Sequence, residues 1–326
     1  MRRREFITFL GGAAATWPVA ARAQQHAPFI GFIGSDTPDL YADRLRAFRL
    51  GLRVIGFNEG QNVTIEYRWA EGRNDQLPAL TADLIHRNAG VIVAPTTPSS
   101  LSAKAATNTI PIVFFVAGDP VQLGLVASLA RPGGNLTGAT TLTLEVGAKR
   151  LELLLEMLPT AKIIAALVNP TSPNLAEIQL RDLQAAARVL GLQLHVLQAS
   201  TDADFVGALA RASELGVQGL VITSDSFFFS RSERIAALAI RHKLPTIHGF
   251  RESAAAGGLM SYGGGLTESF RWLGVYTGQI LKGEKPANLP VQQSTRVELI
   301  INFKTAVAIG LQVPPALITR ADDVIE

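Results

Sequence analysis

The feature that most restricts how this chain can fold is a pattern used twice. Short apolar runs alternate with longer amphipathic stretches, and the order begins again about 130 residues further on. The runs at 29–34 (FIGFIG), 62–69, 90–94, 111–116, 162–168, 192–197, 219–223, 245–249 and 258–262 read as strands. Several are apolar on both faces, as strands covered by helices on each side must be. Between them, 40–55, 76–87, 144–158, 175–190 and 231–242 repeat apolar residues at helical spacing. Alternation of this kind specifies α/β architecture with an open parallel sheet. In the two halves FIGFIGSDTPDL corresponds to ALVNPTSPNL, VIVAPTTPSS to LVITSDSFF, and FFVAGDPV to IHGFRE. Residue identity between them is poor, so the correspondence lies in element order and loop chemistry. About 300 residues also exceed the ~100–200 of a single domain. Two doubly wound parallel-sheet lobes are expected.

The first 23 residues read as an export leader. Arg3-Arg4-Glu5-Phe6-Ile7 resembles the twin-arginine pattern, and Ala21-Arg22-Ala23 has the small-x-small form of a peptidase site. The uncharged stretch between them, about 15 residues, is shorter than the ~20 a spanning helix needs. Cleavage is expected after Ala23. The leader's four arginines and one glutamate account for the whole net charge of +3. The remainder is near neutral and has no net excess for a basic face, so no nucleic-acid partner is expected. The chain has no cysteine. That excludes disulfides, thiolate metal sites, cysteine nucleophiles and a lipidated N-terminus. Leader and composition together place the mature protein free in the periplasm.

Ligands of open α/β sheets bind beyond the carboxyl ends of the strands. Here those ends read GSDTP, APTTP, AGDP, NPTSP, SDSFFF and HGFRE. Thr37-Pro38, Thr97-Pro98, Asp119-Pro120 and Ser172-Pro173 each set a capping side chain ahead of a proline suited to the first helical position. Several helix N-termini should therefore face one region and favour an anion such as a ligand carboxylate. Capping alone also explains each of these residues. Asp225 is followed by Ser226 and Phe227-Phe228-Phe229, aromatics that are either core beneath a loop or a wall facing a ligand. Tyr262 precedes three glycines, which let backbone approach a ligand or bend the chain between lobes. A carboxylate, helix N-termini and aromatic walls suit a zwitterion with an apolar side chain. An amino acid, whether aromatic or not, or a related carboxylate is the natural candidate.

Catalytic signatures are missing. There is no G-x-S-x-G elbow, no H-E-x-x-H and no phosphate loop. The five histidines have no metal-ligand spacing, and only His248 falls at a site-facing strand end. No catalytic residue, metal or cofactor is expected. The one alternative chemistry is an exported hydrolase with Ser226 and His248 as nucleophile and base. A sensor for a membrane kinase would have the same sequence features as a receptor.

The loops and their flanks resemble the solute-binding proteins of ABC transporters, in the family that includes tryptophan- and tyrosine-type binders. The resemblance covers most of the chain and rests on GFNEGQNVTIEYRWAEG, VIVAPTTPSSLSAKAAT, the block from FFVAGDPV to PGGNLTG, KRLELLLEMLP, GGLMSYG, QILKGEKPANLPVQ and INFKTAVAIGL. It implies a type I periplasmic clamshell whose lobes, joined by crossing strands, close over a small solute. The expected lobes are 28–138 with 264–290, and 139–263 with 291–326. It implies a monomer that delivers its solute to an ABC permease in the inner membrane. Family loops matching Ser35, Thr96, Thr97 and Asp119 in the first lobe, and Asn169, Asp225 and Tyr262 in the second, would line the cleft. Asp36 and Phe227 complete the expected ligand contacts.

Overall fold

The computed structural model describes residues 29–326 except 142, 145 and 295. The expected leader at 1–23 lies outside the described residues. The first half runs β1 (Phe29–Gly34), α1 (Ala42–Val54), β2 (Thr64–Trp69), α2 (Leu77–His86), β3 (Val91–Ala94), α3 (Thr97–Ala106), β4 (Ile112–Val116) and β5 (Leu136–Thr141). The second runs α4 (Gly147–Met157), β6 (Ile163–Val168), α5 (Pro173–Val189), β7 (Gln193–Gln198), α6 (Asp204–Glu214), β8 (Gly219–Ile222), α7 (Ser226–Ser230), α8 (Ser232–Arg241), β9 (Thr246–His248), α9 (Arg251–Ala255) and β10 (Met260–Gly263). The tail adds α10 (Leu266–Leu281), β11 (Gln292–Ser294), β12 (Glu298–Asn302), α11 (Phe303–Ile309), α12 (Pro315–Arg320) and β13 (Asp323–Ile325).

The expected duplication is present in the strand order. One sheet is ordered β11-β5-β4-β3-β1-β2 and the other β13-β12-β10-β9-β8-β6-β7. Without the tail strands, both have the doubly wound order 2-1-3-4-5, whose switch point lies between the first and third strands. The central strands are buried on both faces, which is why they read as unbroken apolar runs. Each sheet carries a separate apolar core on each of its faces.

The chain passes between the lobes after Thr141, after Gly263 and after Ser294. Sheet pairing puts the first lobe's limits beyond the expected 138 and 290. Gln292 to Ser294 pair with Ala139 to Thr141, so both segments belong to the first sheet. The second sheet has one antiparallel pair, β10 with β12, where only parallel strands were expected. β12 starts at the hinge end, where β10 finishes, so it must run back along it.

Two elements far apart in sequence complete the first lobe. α10 crosses α1 closely enough that a Cβ at Gly274 would collide with the Phe48 carbonyl, and one at Gly51 with the Arg271 carbonyl. This approach lets Phe270, Leu273, Tyr276 and Ile280 join Phe32, Phe48 and Leu52 in one core.

Candidate ligand-binding site

The loops at the two switch points face each other across the gap between the lobes, and they are built alike. In the first lobe the loop after β1 is tied to the loop after β3 by Ser35 Oγ and Thr96 Oγ1, 2.6 Å apart. In the second, the loop after β6 is tied to the loop after β8, with Asn169 Nδ2 donating to Asp225 Oδ1 at 3.0 Å. All four side chains are buried, so each bond replaces water and holds two strand ends in register.

Helix starts fix these loops. Thr96, not Thr97, caps α3: its hydroxyl accepts from Ser99 N at 3.2 Å while Ser99 Oγ accepts from Thr96 N at 3.1 Å. This reciprocal pair is a capping box, and Thr97 becomes the first helical residue. Asp225 caps α7, accepting from Phe227 N at 2.9 Å. Burial pushes its carboxyl above the usual range, against the opposite pull of the Asn169 amide and the Phe227 N–H. Asn169 Oδ1 accepts from Thr171 N at 3.0 Å and from Thr171 Oγ1 at 2.8 Å.

None of the four expected proline-linked caps forms: Thr97 gives way to Thr96, and the other three fail in separate ways. Thr37 precedes a 3₁₀ turn with no side-chain cap bond. Asp119 accepts from Val121 N at 2.7 Å, making a local turn in a segment that has no helix. Ser172 stands at the start of α5, yet its hydroxyl makes no cap bond and lies instead beside the Asp225 carboxyl.

A narrow cavity of about 40 Å³ lies between the lobes, well below the ~300–1,000 Å³ of small-molecule sites, so a solute enters only as the lobes part. Arg44, Thr96, Thr97, Phe115, Leu266 and Phe270 line it from the first lobe, and Leu175, Asp225, Ser226, Phe229 and Phe250 from the second. Aromatic walls oppose each other. Phe115 and Phe270 pack with centroids 5.9 Å apart on one side, Phe229 and Phe250 at 5.3 Å on the other. A second opening, with Thr97 and Leu175 on its rim, is lined by Gln122, Leu123, Ser172 and Asn174.

Of the expected contacts, Thr96, Thr97 and Asp225 line the cavity, with Ser35 and Asn169 bonded directly behind them. Asp36 is engaged elsewhere. It is only 1% exposed, and both its oxygens accept from Arg231 Nη1 of the other lobe, at 3.0 and 3.1 Å. Arg231 also pairs with Asp202. Phe227 belongs to the second lobe's core, stacked on Phe205 at 5.4 Å. α7 turns Phe227 and Phe228 inward and leaves Phe229 on the cleft side. Tyr262 packs against the second lobe's other core and is not among the cavity's lining residues. Asp119 sits on the outer lip with Gln122, Leu144 and Arg181.

Sequence reasoning missed Arg44, Phe115, Phe250 and Phe270. Arg44 had a signal: Tyr41, Leu45 and Phe48 form an apolar stripe on α1, and a charged residue falls within it. The hydrolase pair is not brought together. Ser226 lines the cavity, but His248 does not; its Nε2 lies 3.1 Å from Thr246 Oγ1. Burial, helped by the Arg150 charge, lowers the His248 pKa to about 3, which removes it as a base near neutrality. No group of metal-binding side chains occurs among the described residues.

Two lobes of matching parallel order, with aromatic and polar strand ends enclosing one cavity, define a two-lobed binding protein of the type I periplasmic class. Residues 36–325 match the ABC transporter substrate binding protein family, and the chain belongs to that family. It is 28% identical over 273 residues to a tyrosine-binding protein of Clostridioides difficile (strain R20291), across 82% of this chain and 76% of that one. A conserved domain protein from Vibrio cholerae superposes with a TM-score of 0.81 at 26% identity, over 91% of this chain and 99% of that one. An ABC domain from Streptococcus pneumonia in complex with L-Trp gives 0.79 at 23% identity, with the same coverage. The ligand-free, open structure of a Clostridium difficile substrate binding protein gives 0.61 at 23% identity, again with the same coverage.

Proposed function

We propose that this chain is the soluble receptor of an ABC importer, exported by its leader to the periplasm. As a monomer it captures a small organic solute with an aromatic body and hands it to a permease in the inner membrane. The observation that carries this reading is the narrow cavity between the lobes, walled by phenylalanines from both and flanked by the Asp36–Arg231 ion pair that joins them. Phe250 of the second lobe even packs within the first lobe's core. A ligand touching both lobes stabilises the closed form because only that form offers it all its contacts. The L-Trp complex and the tyrosine-binding relative support an aromatic amino acid or a related carboxylate as the solute. Among the described residues no helix is long and apolar enough to cross a membrane.

A thermal-shift screen of the purified protein tests this reading. A ligand present at 100 times its Kd adds about 2.7 kcal/mol to apparent stability. Aromatic amino acids and aromatic carboxylates are expected to raise Tm. A panel of both that leaves Tm unmoved would refute the assignment.

A further inference from the structure

Among the described residues Arg44 is the only cation lining the cavity between the lobes, and it sits where a surface arginine has no reason to be. It lies on the buried stripe of α1 and is 8% exposed. Its guanidinium is 4.2 Å from the centroids of both the Tyr41 and Phe229 rings and 5.9 Å from that of Phe270. The group is thus clamped by rings from both lobes. One Nη2–H donates to the Leu40 carbonyl at 3.1 Å. No carboxylate among the described residues makes an ion pair with it. The carboxylates whose charge it feels are Glu252 and Asp36, and Asp36 is already bound to Arg231. Glu252 uses Oε1 to accept from Leu266 N at 3.2 Å.

A guanidinium has five N–H donors in a rigid fork that matches a carboxylate. Burying one without an anion is costly. The rings supply part of the compensation through their π faces, and the Leu40 carbonyl and Tyr41 hydroxyl engage part of the fork; a fork of five donors has others to offer an anion. Arg44 adjoins two spaces, an outer opening lined by Glu252 and Arg231 and the cavity between Phe115, Phe270, Phe229 and Phe250. An aromatic acid would put its ring between those walls and its carboxylate on the donors that remain.

We propose that Arg44 is the carboxylate anchor of the cleft and that the solute is an aromatic carboxylate oriented by it. The inference rests on the aromatic-solute reading above and adds the residue that holds the carboxylate. It also reassigns the anion, which loop chemistry alone had placed at the helix N-termini.

The test is isothermal titration of the full mature protein with 3-phenylpropionate, its neutral amide 3-phenylpropanamide, L-phenylalanine and L-tryptophan, repeated on Arg44→Gln and Arg44→Lys. The wild type is expected to prefer the acid over the amide by about 30-fold, the scale of hydrogen bonds to a charged group. Arg44→Gln is expected to bring the two ligands within about threefold, and Arg44→Lys to retain part of the preference. A residue that only props the fold would weaken acid and amide alike. An unchanged acid-to-amide ratio in Arg44→Gln would therefore overturn the anchor while leaving the receptor reading intact. No binding of any acid to the wild type would overturn both. The amino acids compared with 3-phenylpropionate show whether the natural solute carries an ammonium group.

Discussion

Asp36→Asn should open the protein. The Asp36 carboxylate is almost fully buried, and it reaches the other lobe only through Arg231. When the lobes part, both groups regain water, so the pair contributes to closure and little to the stability of either lobe. Stripping one partner from a fully buried ion pair costs about 3–5 kcal/mol. The cost is smaller here, because Arg231 keeps Asp202 and its side chain is 17% exposed. About 2 kcal/mol, within the range for hydrogen bonds to charged groups, shifts the closed-to-open ratio by about 30-fold. The absence of native cysteine makes the measurement direct. Cysteines introduced at exposed Val54 in the first lobe and Val206 in the second would carry a dye pair, and energy transfer would report the lobe separation. Apparent Kd scales inversely with the closed fraction, so titration of any ligand found should show weakening by up to the same factor. Identical transfer distributions and an affinity within twofold of wild type would refute the latch.

Gly274→Ala tests the α1–α10 crossing. Helix propensity alone would favour alanine by about 1 kcal/mol, but the added methyl meets the Phe48 carbonyl, so a net loss of about 2 kcal/mol and a lower Tm are expected. His248→Gln tests the buried imidazole. Its pKa is about 3 in the fold against about 6.5 unfolded. The unfolded chain therefore binds the extra proton between those values. The wild type should lose stability from this group as pH falls from 6.5 toward 3, by up to about 1.4 kcal/mol per pH unit. Asp225 and Glu252, whose carboxyls are raised by burial, act in the opposite sense, so the variant-minus-wild-type difference is the quantity to follow by denaturation. Asp225→Ala removes the α7 cap at a cost of about 1 kcal/mol; ligand affinity should fall as well, measured by titration with the far-ultraviolet spectrum unchanged.

How far the sequence could be read depended on what each element packs against. β1, β3, β4, β6 and β8 announce themselves because helices on both faces demand apolar side chains throughout. β5 reads LTGATT and gives no such signal. Its Gly138 lies so close to the Phe114 backbone that no side chain fits, and its threonines spend their hydroxyls on carbonyls such as Leu289 and Gly118. β11 and β13 have three residues each and pair at sheet edges, where pattern is weakest. The rule that ligands meet strand ends picked out Thr96, Thr97 and Asp225, which line the cavity, and Asn169 behind them. It could not find Arg44, Phe115 or Phe270, which reach the cavity from a helix face, from within a strand and from a helix that arrives late in the chain. Phe227 and Phe229 differ only in which way a single short turn points them, and spacing in the sequence does not fix that.

The order in which the ribosome supplies these pieces carries a consequence of its own. The first sheet's covering helix α10 and its edge strand β11 are made only after β10, and the second sheet still awaits β12 and α12 at that moment. Neither half can be excised with one cut, and neither has its full apolar interior until the stretch after residue 263 is present. A product stopped near residue 263 would therefore leave both halves unfinished, with Phe32, Phe48 and Phe115 open to water. Such fragments should go to proteases, whereas a chain with separable halves would leave one half intact.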